Sequence, residues 1–196
     1  TDDKNNSETT THSGNPTRPM LHYCPTVGTV ADTIPFFWKG ECHVFYLHHG
    51  LGTGTPWAHI VSRDLVHWRE LPTALPLGAP REPDGGSVFT GSVLEHEGTF
   101  HIFYTGFNPD NPDGREHIMH ATSTDLINWT KQPGHSFKAD GVHYQDNGGE
   151  DFRDPFVFWH EKDKAWWMLL CARDGRTGQP VTGLCTSTDL THWHQR

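Results

Sequence analysis

Apolar residues along this chain occur in short runs, which are separated by turns rich in glycine and proline. The run Val44–Leu47 is one of these, and the run Phe156–Trp159 is another. No long stretch shows helical periodicity, whereas Gly (20), Pro (14) and Trp (8) are plentiful among the 196 residues. Short apolar runs between turn residues are typical of β-strands. The pattern therefore predicts an all-β protein made of many short strands joined by tight turns.

The same arrangement of strands and turns occurs three times. A seven-residue motif, Ser-x-Asp-Leu-x-x-Trp, recurs at intervals of about 60 residues, and an aromatic-rich second strand precedes each copy. Self-similarity at a fixed period indicates a repeat architecture. We therefore predict three four-stranded blades of a β-propeller across residues 19–196, after a disordered polar tail over residues 1–18. The copies of the motif are Ser62–Trp68, Ser123–Trp129 and Ser187–Trp193.

The repeated motif has a structural explanation. Its Asp side chain can accept hydrogen bonds from the backbone of its own turn, and its Leu and Trp are suited to packing between blades. A strand after each motif, such as residues 69–77, would complete the blade. We therefore assign none of the motif residues to a functional site.

Positions at which the repeats differ identify a candidate site. Superposing the repeats places Asp32 opposite Thr90, and the third repeat brings Asp154 to the same level. Because the innermost strands of a propeller converge on its central channel, we expect these three residues to lie close together. Two carboxylates beside Arg153 suit a carbohydrate, since carboxylate pairs perform glycoside hydrolysis. On the alternative interpretation, the Asp residues only cap the strands or bind a cation in the channel.

Charge and composition exclude several classes of partner. With 15 Lys and Arg against 24 Asp and Glu, the net charge is −9, and no basic cluster is present. Nucleic acid and an anionic membrane are therefore unsuitable partners. The four cysteines are too far apart to indicate a zinc site or a dense disulfide framework. We expect no metal and no other cofactor, because the histidines on the repeated strands lack ligand pairing. These histidines are His43, His59, His101 and His120.

Five motifs follow one another along the chain, and both their order and their spacing are informative. They are Val30–Asp32 with the Phe-rich strand after it, Trp57–Trp68, Phe89–Ser92, Tyr104–Gly106 and Phe152–Pro155. Together, from about residue 18 to residue 196, they resemble glycoside hydrolase family 32, which contains the invertases, inulinases and levanases. The resemblance implies a five-bladed β-propeller. It also implies hydrolysis of β-fructofuranosides, of the sucrose or fructan type, with retention of configuration.

The resemblance further implies roles for individual residues. Asp32 would be the catalytic nucleophile. Asp154, together with Arg153, would grip sugar hydroxyls and stabilise the oxocarbenium-like transition state. Trp57 and Ser92, with Thr90 beside them, would line the substrate pocket.

Three departures from the family pattern bear on specificity and chemistry. The Asn that normally precedes the nucleophile is replaced by Ala31, and the Gln of the second strand is replaced by Leu47. Both lost groups normally help to define the fructosyl pocket. The general acid of the family is a Glu in a Glu-Cys-Pro motif about one blade further on, and Arg196 is reached before that point. Glu150 lies beside the candidate site, but we do not assign it as the acid.

Three blades are fewer than the four to eight that usually close a propeller. We therefore expect a further C-terminal part, or a second chain, to complete the arc and cover its apolar faces.

Two other functions stay open: a family 43-type arabinofuranosidase or xylosidase, and a non-catalytic protein that only binds sugar. The polar tail would suit a linker behind a removed secretion signal, which favours an extracellular location over a cytoplasmic one.

Overall fold

The computed structural model describes residues 22–196, so the tail predicted over residues 1–18 lies outside the described residues. The described chain forms three four-stranded antiparallel sheets, in each of which the strands lie side by side in sequence order. The first blade contains β1 (Thr29–Trp38), β2 (Glu41–His49), β3 (Trp57–Ser62) and β4 (Arg69–Leu75). The second contains β5 (Ser87–His96), β6 (Thr99–Phe107), β7 (Glu116–Ser123) and β8 (Thr130–Lys131), followed by a 3₁₀ turn, Pro133–His135. The third contains β9 (Arg153–His160), β10 (Ala165–Arg173), β11 (Pro180–Ser187) and β12 (His194–Gln195).

The first strands of the three blades are neighbours. Strand β1 packs against β5, and β5 packs against β9, although no pair of these strands belongs to one sheet. This is the arrangement of adjacent blades around a propeller axis, with the first strand of each blade innermost. The prediction of three all-β blades is therefore confirmed.

Each copy of the repeated motif forms the turn between the third and fourth strands of its blade. In the second copy, the Asp125 carboxylate accepts hydrogen bonds from the backbone N–H groups of Ile127 and Asn128 at 2.9 and 2.8 Å. Asp64 and Asp189 do the same in the other two copies. The Leu after each Asp has a positive φ of 62° to 64°, a conformation that non-glycine residues rarely adopt. The predicted structural role of the motif is confirmed.

The hydrophobic core lies between the blades. One cluster joins the first and second blades and includes Phe45 and Ile102, and another joins the second and third blades and includes Phe103 and Met168. The Trp of each later motif packs edge-on against the preceding blade, Trp129 on Phe45 and Trp193 on Phe103, with ring centroids 5.9 and 5.4 Å apart. Trp129 and Trp193 therefore pack between blades, as predicted, whereas no preceding blade lies against Trp68 within residues 22–196.

The first blade departs from this pattern at Leu65. The equivalent residues, Leu126 and Leu190, are 3% and 2% exposed, but Leu65 is 59% exposed. Leu126 and Leu190 are covered because a preceding blade lies against them. Within residues 22–196 no blade precedes the first one, so its outer face remains uncovered.

No helix within the described residues is long and apolar enough to cross a membrane.

Candidate active site

The site is built where the three innermost strands begin. Each of these strands carries a β-bulge at the residue that the sequence singled out. The register of β1 shifts between Ala31 and Thr33, and that of β5 shifts between Val88 and Gly91. The register of β9 shifts where it passes the segment from Leu169 to Cys171. A bulge turns a side chain out of the regular alternation of a strand and is common beside active sites.

The bulged residues of the first two blades are in direct contact. The Thr90 hydroxyl donates a hydrogen bond to Asp32 Oδ2 at 2.6 Å. The prediction that these residues meet is confirmed, although they are 58 positions apart in the chain. Asp32 is exposed and Thr90 is half-buried. The Asp32 carboxylate is therefore held in place by one side chain and is accessible from solvent.

Asp154 is held at the head of β9 in an unusual backbone conformation. Its φ is +62°, in the left-handed region, and its N–H donates to the Thr105 hydroxyl at 2.8 Å. Burial raises the pKa of the Asp154 carboxyl. The Arg153 guanidinium opposes this rise in pKa, while the negative charges of Glu116 and Asp32 add to it. The charge of Asp32 is therefore near enough to raise the pKa of the Asp154 carboxyl.

Arg153 is held by two carboxylates and lies close to a third. Its Nη1 donates to Glu116 Oε1 and to Asp151 Oδ1, both at 3.0 Å, and its Nε lies 3.9 Å from Asp154 Oδ2. Asp151 is itself held by Arg173, whose Nε donates to Asp151 Oδ2 at 2.6 Å. The result is a compact network of alternating charges around Arg153, whose side chain is partly exposed.

Trp57 and Ser92 are buried, and each bonds to the backbone of an inner strand. Trp57 is fully buried, and its indole N–H donates to the carbonyl of Phe89 at 3.0 Å. Ser92 is 3% exposed, and its hydroxyl accepts a hydrogen bond from the Val157 N–H at 3.0 Å. The first contact anchors the bulge of β5, and the second joins β5 to β9. Their role in lining the pocket remains a prediction.

The sequence departures have distinct positions in the structure. Leu47 lies opposite Ala31 in the β1–β2 pair and is 4% exposed within the hydrophobic core. Glu150 lies on the loop before β9, where its carboxylate forms an ion pair with the Arg115 guanidinium. Glu150 thus already has a cationic partner, in agreement with leaving it unassigned as the acid.

Sequence reasoning missed four residues that shape the site: Glu116, Asp151, Thr105 and Arg173. The strongest signal available was Glu116, an acidic residue at the head of a strand that is otherwise apolar or buried. Thr105 lies within the motif Tyr104–Gly106, but no role was assigned to it, because a Thr in a strand is ordinary. Asp151 and Arg173 belong to a loop and a strand end, where charged residues are expected.

The histidines of the repeated strands bond to one another. His43 Nδ1 lies 2.9 Å from His59 Nε2 in the first blade, and His101 Nδ1 lies 2.9 Å from His120 Nε2 in the second. Burial lowers the pKa of both His59 and His120 to about 3. Among residues 22–196, no group of three or more His, Cys, Asp or Glu side chains is arranged to hold a metal ion.

Comparison with known proteins assigns this architecture. The model of the family described as the Glycosyl hydrolases family 32 N-terminal domain matches residues 22–196. The chain belongs to glycoside hydrolase family 32. Among curated relatives, a levanase from Bacillus sp. (strain L7) is 35% identical over 90% of this chain and 19% of the relative. A sucrose-6-phosphate hydrolase from Escherichia coli is 34% identical over 92% of this chain and 37% of the relative.

Solved structures of family 32 have the same fold. The β-fructofuranosidase of Bombyx mori, in a mutant complex with sucrose, matches 91% of this chain and 37% of its own, with a TM-score of 0.70 and 27% identity. The fructan 1-exohydrolase IIa of Cichorium intybus, in complex with 1-kestose, matches with a TM-score of 0.73 and 24% identity, over 89% of this chain and 33% of its own. The three blades are thus part of a β-propeller of the family 32 type. That the complete propeller has five blades remains a prediction.

Proposed function

We propose that this chain supplies the nucleophile side of the active site in a retaining β-fructofuranosidase that acts on sucrose or fructans. The observation that carries the proposal is the Thr90–Asp32 hydrogen bond at two bulged inner strands, next to the bulged strand β9 that carries Asp154. The curated relatives support the substrate class, since they are a levanase and a sucrose-6-phosphate hydrolase. The chain spans well under half of either relative, so the activity belongs to the protein as a whole.

In this proposal Asp32 attacks the anomeric carbon of the fructosyl unit. Thr90 holds Asp32 Oδ2, so the carboxylate is oriented before the substrate arrives. The bond from the anomeric carbon to the leaving oxygen breaks while an acid protonates that oxygen, and water then hydrolyses the fructosyl ester of Asp32. In a retaining enzyme the acid lies about 5 Å from the nucleophile. We assign no proton donor among residues 22–196.

Asp154 and Arg153 would act on the hydroxyls of the fructosyl unit. The Asp154 carboxylate can accept two hydroxyl hydrogen bonds, and the Arg153 guanidinium can donate to a hydroxyl oxygen. Such bonds strengthen as charge develops on the sugar, which would stabilise the oxocarbenium-like transition state. Burial of Asp154 would strengthen its bonds to the sugar hydroxyls further, because water screens electrostatic interactions less where it is excluded.

A second candidate function is sugar binding without hydrolysis. The observation that favours it is Leu47, which is buried in the core and offers no amide to a fructosyl unit. Binding of sucrose that is unchanged in Asp32→Asn, with no release of fructose by either protein, would support this function.

The test, made on the protein as a whole, is release of reducing sugar from sucrose, inulin, levan and an aryl arabinofuranoside. We expect fructose from the fructosides and no release from the arabinofuranoside, and we expect Asp32→Ala to abolish the activity. Asp163→Asn is a matched control, because Asp163 lies in the β9–β10 turn, away from the site. Activity that survives Asp32→Ala would contradict the proposal, as would release of arabinose alone.

A further inference from the structure

Glu116 is a buried residue to which the proposed reaction assigns no role. It begins β7 of the second blade and is 4% exposed, yet its carboxylate meets residues of the third blade. Its Oε1 accepts from Arg153 Nη1 at 3.0 Å, and its Oε2 accepts from the Phe152 N–H at 3.0 Å. Its own N–H donates to the Gly149 carbonyl at 2.7 Å. One buried side chain and its backbone therefore hold the loop that leads into β9.

This loop needs such a restraint because its backbone is strained. Asp151 and Asp154 have φ values of +64° and +62°, and non-glycine residues keep that conformation only where surrounding contacts enforce it. Phe152 and Arg153 lie between them, and these are the two residues that Glu116 holds. The restraint thus acts at the centre of the strained segment.

The same contact selects which donors of Arg153 remain for a ligand. Nη1 is shared between the carboxylates of Glu116 and Asp151. Nε lies towards Asp154, at 3.9 Å from Oδ2, and the side chain is 36% exposed. A guanidinium is planar, so fixing one nitrogen by two carboxylates fixes the direction of the others. The remaining donors would meet the same hydroxyl region as the Asp154 carboxylate.

We propose that Glu116 is a positioning residue, which aligns Arg153 and the Asp154 loop so that both side chains engage one fructosyl unit. The inference rests on the proposed function, because it assigns Arg153 and Asp154 to sugar hydroxyls. It extends that function to a buried residue of the neighbouring blade that does not itself touch the sugar. The orientation of Arg153 and Asp154, which lie on the third blade, would therefore depend on Glu116 of the second blade.

The experiment compares Glu116→Gln with Glu95→Gln in the otherwise unchanged protein. Glu95 is a matched control, because it lies on the second blade and its carboxylate accepts a hydrogen bond from the turn N–H of Gly98. We expect Glu116→Gln to lower kcat/KM for sucrose about 100-fold, since small misplacements of binding groups have effects of that order. We also expect the guanidinium N–H protons of Arg153, detected through their ¹⁵N resonances, to exchange faster with solvent. Glu95→Gln should change neither quantity.

Glu116→Asp and Asp151→Asn provide further readouts. The shorter Glu116→Asp carboxylate should restore part of the guanidinium protection and part of kcat/KM, which a purely steric role would not predict. If Glu116→Gln fails to fold, Asp151→Asn removes the other carboxylate from Arg153 Nη1 and should produce the same two changes. Wild-type kcat/KM in whichever variant folds would overturn the inference.

The outcome stays separable from that of the proposed function. If the wild-type protein hydrolyses no fructoside, the proposed function fails, and binding of free fructose then decides the role of Glu116. A fructose-induced shift of the Arg153 resonances that is present in the wild type and lost in Glu116→Gln would support positioning. Equal shifts in the two proteins, or no shift in either, would overturn it.

Discussion

Thr90 donates a 2.6 Å hydrogen bond to Asp32 across the boundary between the first and second blades. The two residues occupy the same level of adjacent inner strands, and both sit at bulges. A contact of this kind orients a carboxylate without neutralising its charge. It is the direct link between the repeat architecture and the proposed chemistry.

Thr90→Val should impair catalysis with little effect on folding. Valine has nearly the shape of threonine but cannot donate to Asp32, so the nucleophile would lose its orienting partner. We expect kcat/KM for sucrose to fall about 10-fold to 100-fold. Thr90→Ser keeps the hydroxyl and should retain most of the activity; equal losses in the two variants would contradict the orienting role of the hydroxyl.

Thr105→Val should lower stability. Thr105 is fully buried, and its hydroxyl accepts from the Asp154 N–H at 2.8 Å. Without this acceptor, a partly buried N–H group at a strained residue would be left without its partner. We expect the free energy of unfolding to fall by about 1–3 kcal/mol, measured by urea denaturation. Thr105→Ser, which keeps the acceptor, should lose less; a Thr105→Val protein as stable as the wild type would refute this account.

Stability should decrease as the pH falls below neutrality, because of the buried histidines. Burial lowers the pKa of His59 and His120 to about 3, while both would titrate near the ordinary value of 6.5 in the unfolded chain. Below pH 6.5 the unfolded state therefore binds more protons than the folded state. Each residue makes the free energy of unfolding fall with decreasing pH, with a limiting slope of about 1.4 kcal/mol per pH unit. The contribution is complete only above pH 6.5 and is lost towards the folded pKa.

Urea denaturation of the protein at several pH values between 7 and 5 measures this slope. His120→Gln should reduce the slope by up to about 1.4 kcal/mol per pH unit, the contribution of one proton. It should also lower stability at pH 7, because the ring packing against Phe103 is lost. His67→Gln is the control, because His67 is exposed and lies in a turn. If the slope of His120→Gln matched that of the wild type, His120 would not be buried in its neutral form.

Asp125→Ala should destabilise the second blade. The Asp125 carboxylate accepts from two backbone N–H groups and from the Asn128 side chain in the motif turn. Loss of these bonds should lower the free energy of unfolding by about 1–2 kcal/mol, measured by thermal or urea unfolding. Asp125→Asn keeps one acceptor oxygen and should show a smaller effect. Sucrose hydrolysis at a temperature well below unfolding should be unchanged, because the turn is not part of the site.

Much of the fold could be predicted because its determinants are local and repeated. The Asp of each motif bonds to N–H groups two and three positions further on, so the sequence motif contains both partners. The meeting of Asp32 and Thr90 could also be predicted, since equivalent positions of adjacent repeats must be neighbours at a common axis. The family assignment depended on the same ordered motifs.

The supports of the site could not be predicted in this way. Glu116 meets Phe152 and Arg153, which are 36 and 37 positions away, and Thr105 meets Asp154, which is 49 positions away. These partners occupy unequal positions of different repeats, so superposing the repeats does not pair them. Trp57 and Ser92 were expected at a pocket wall from the resemblance, and their burial depends on how the inner strands pack.

The sequence by itself determined the strands, the turns, the blade repeat and the residues that head the inner strands, because short-range hydrogen bonds and periodic apolar residues encode them. Only the tertiary structure decided which way those residues point and what holds them. Bulges at Asp32, Thr90 and Asp154 occur within the sheets of the three blades, and the bond between Glu116 and Arg153 joins the second blade to the third. Such contacts balance strain, burial and charge over the whole assembly, and no local pattern of residues specifies that balance.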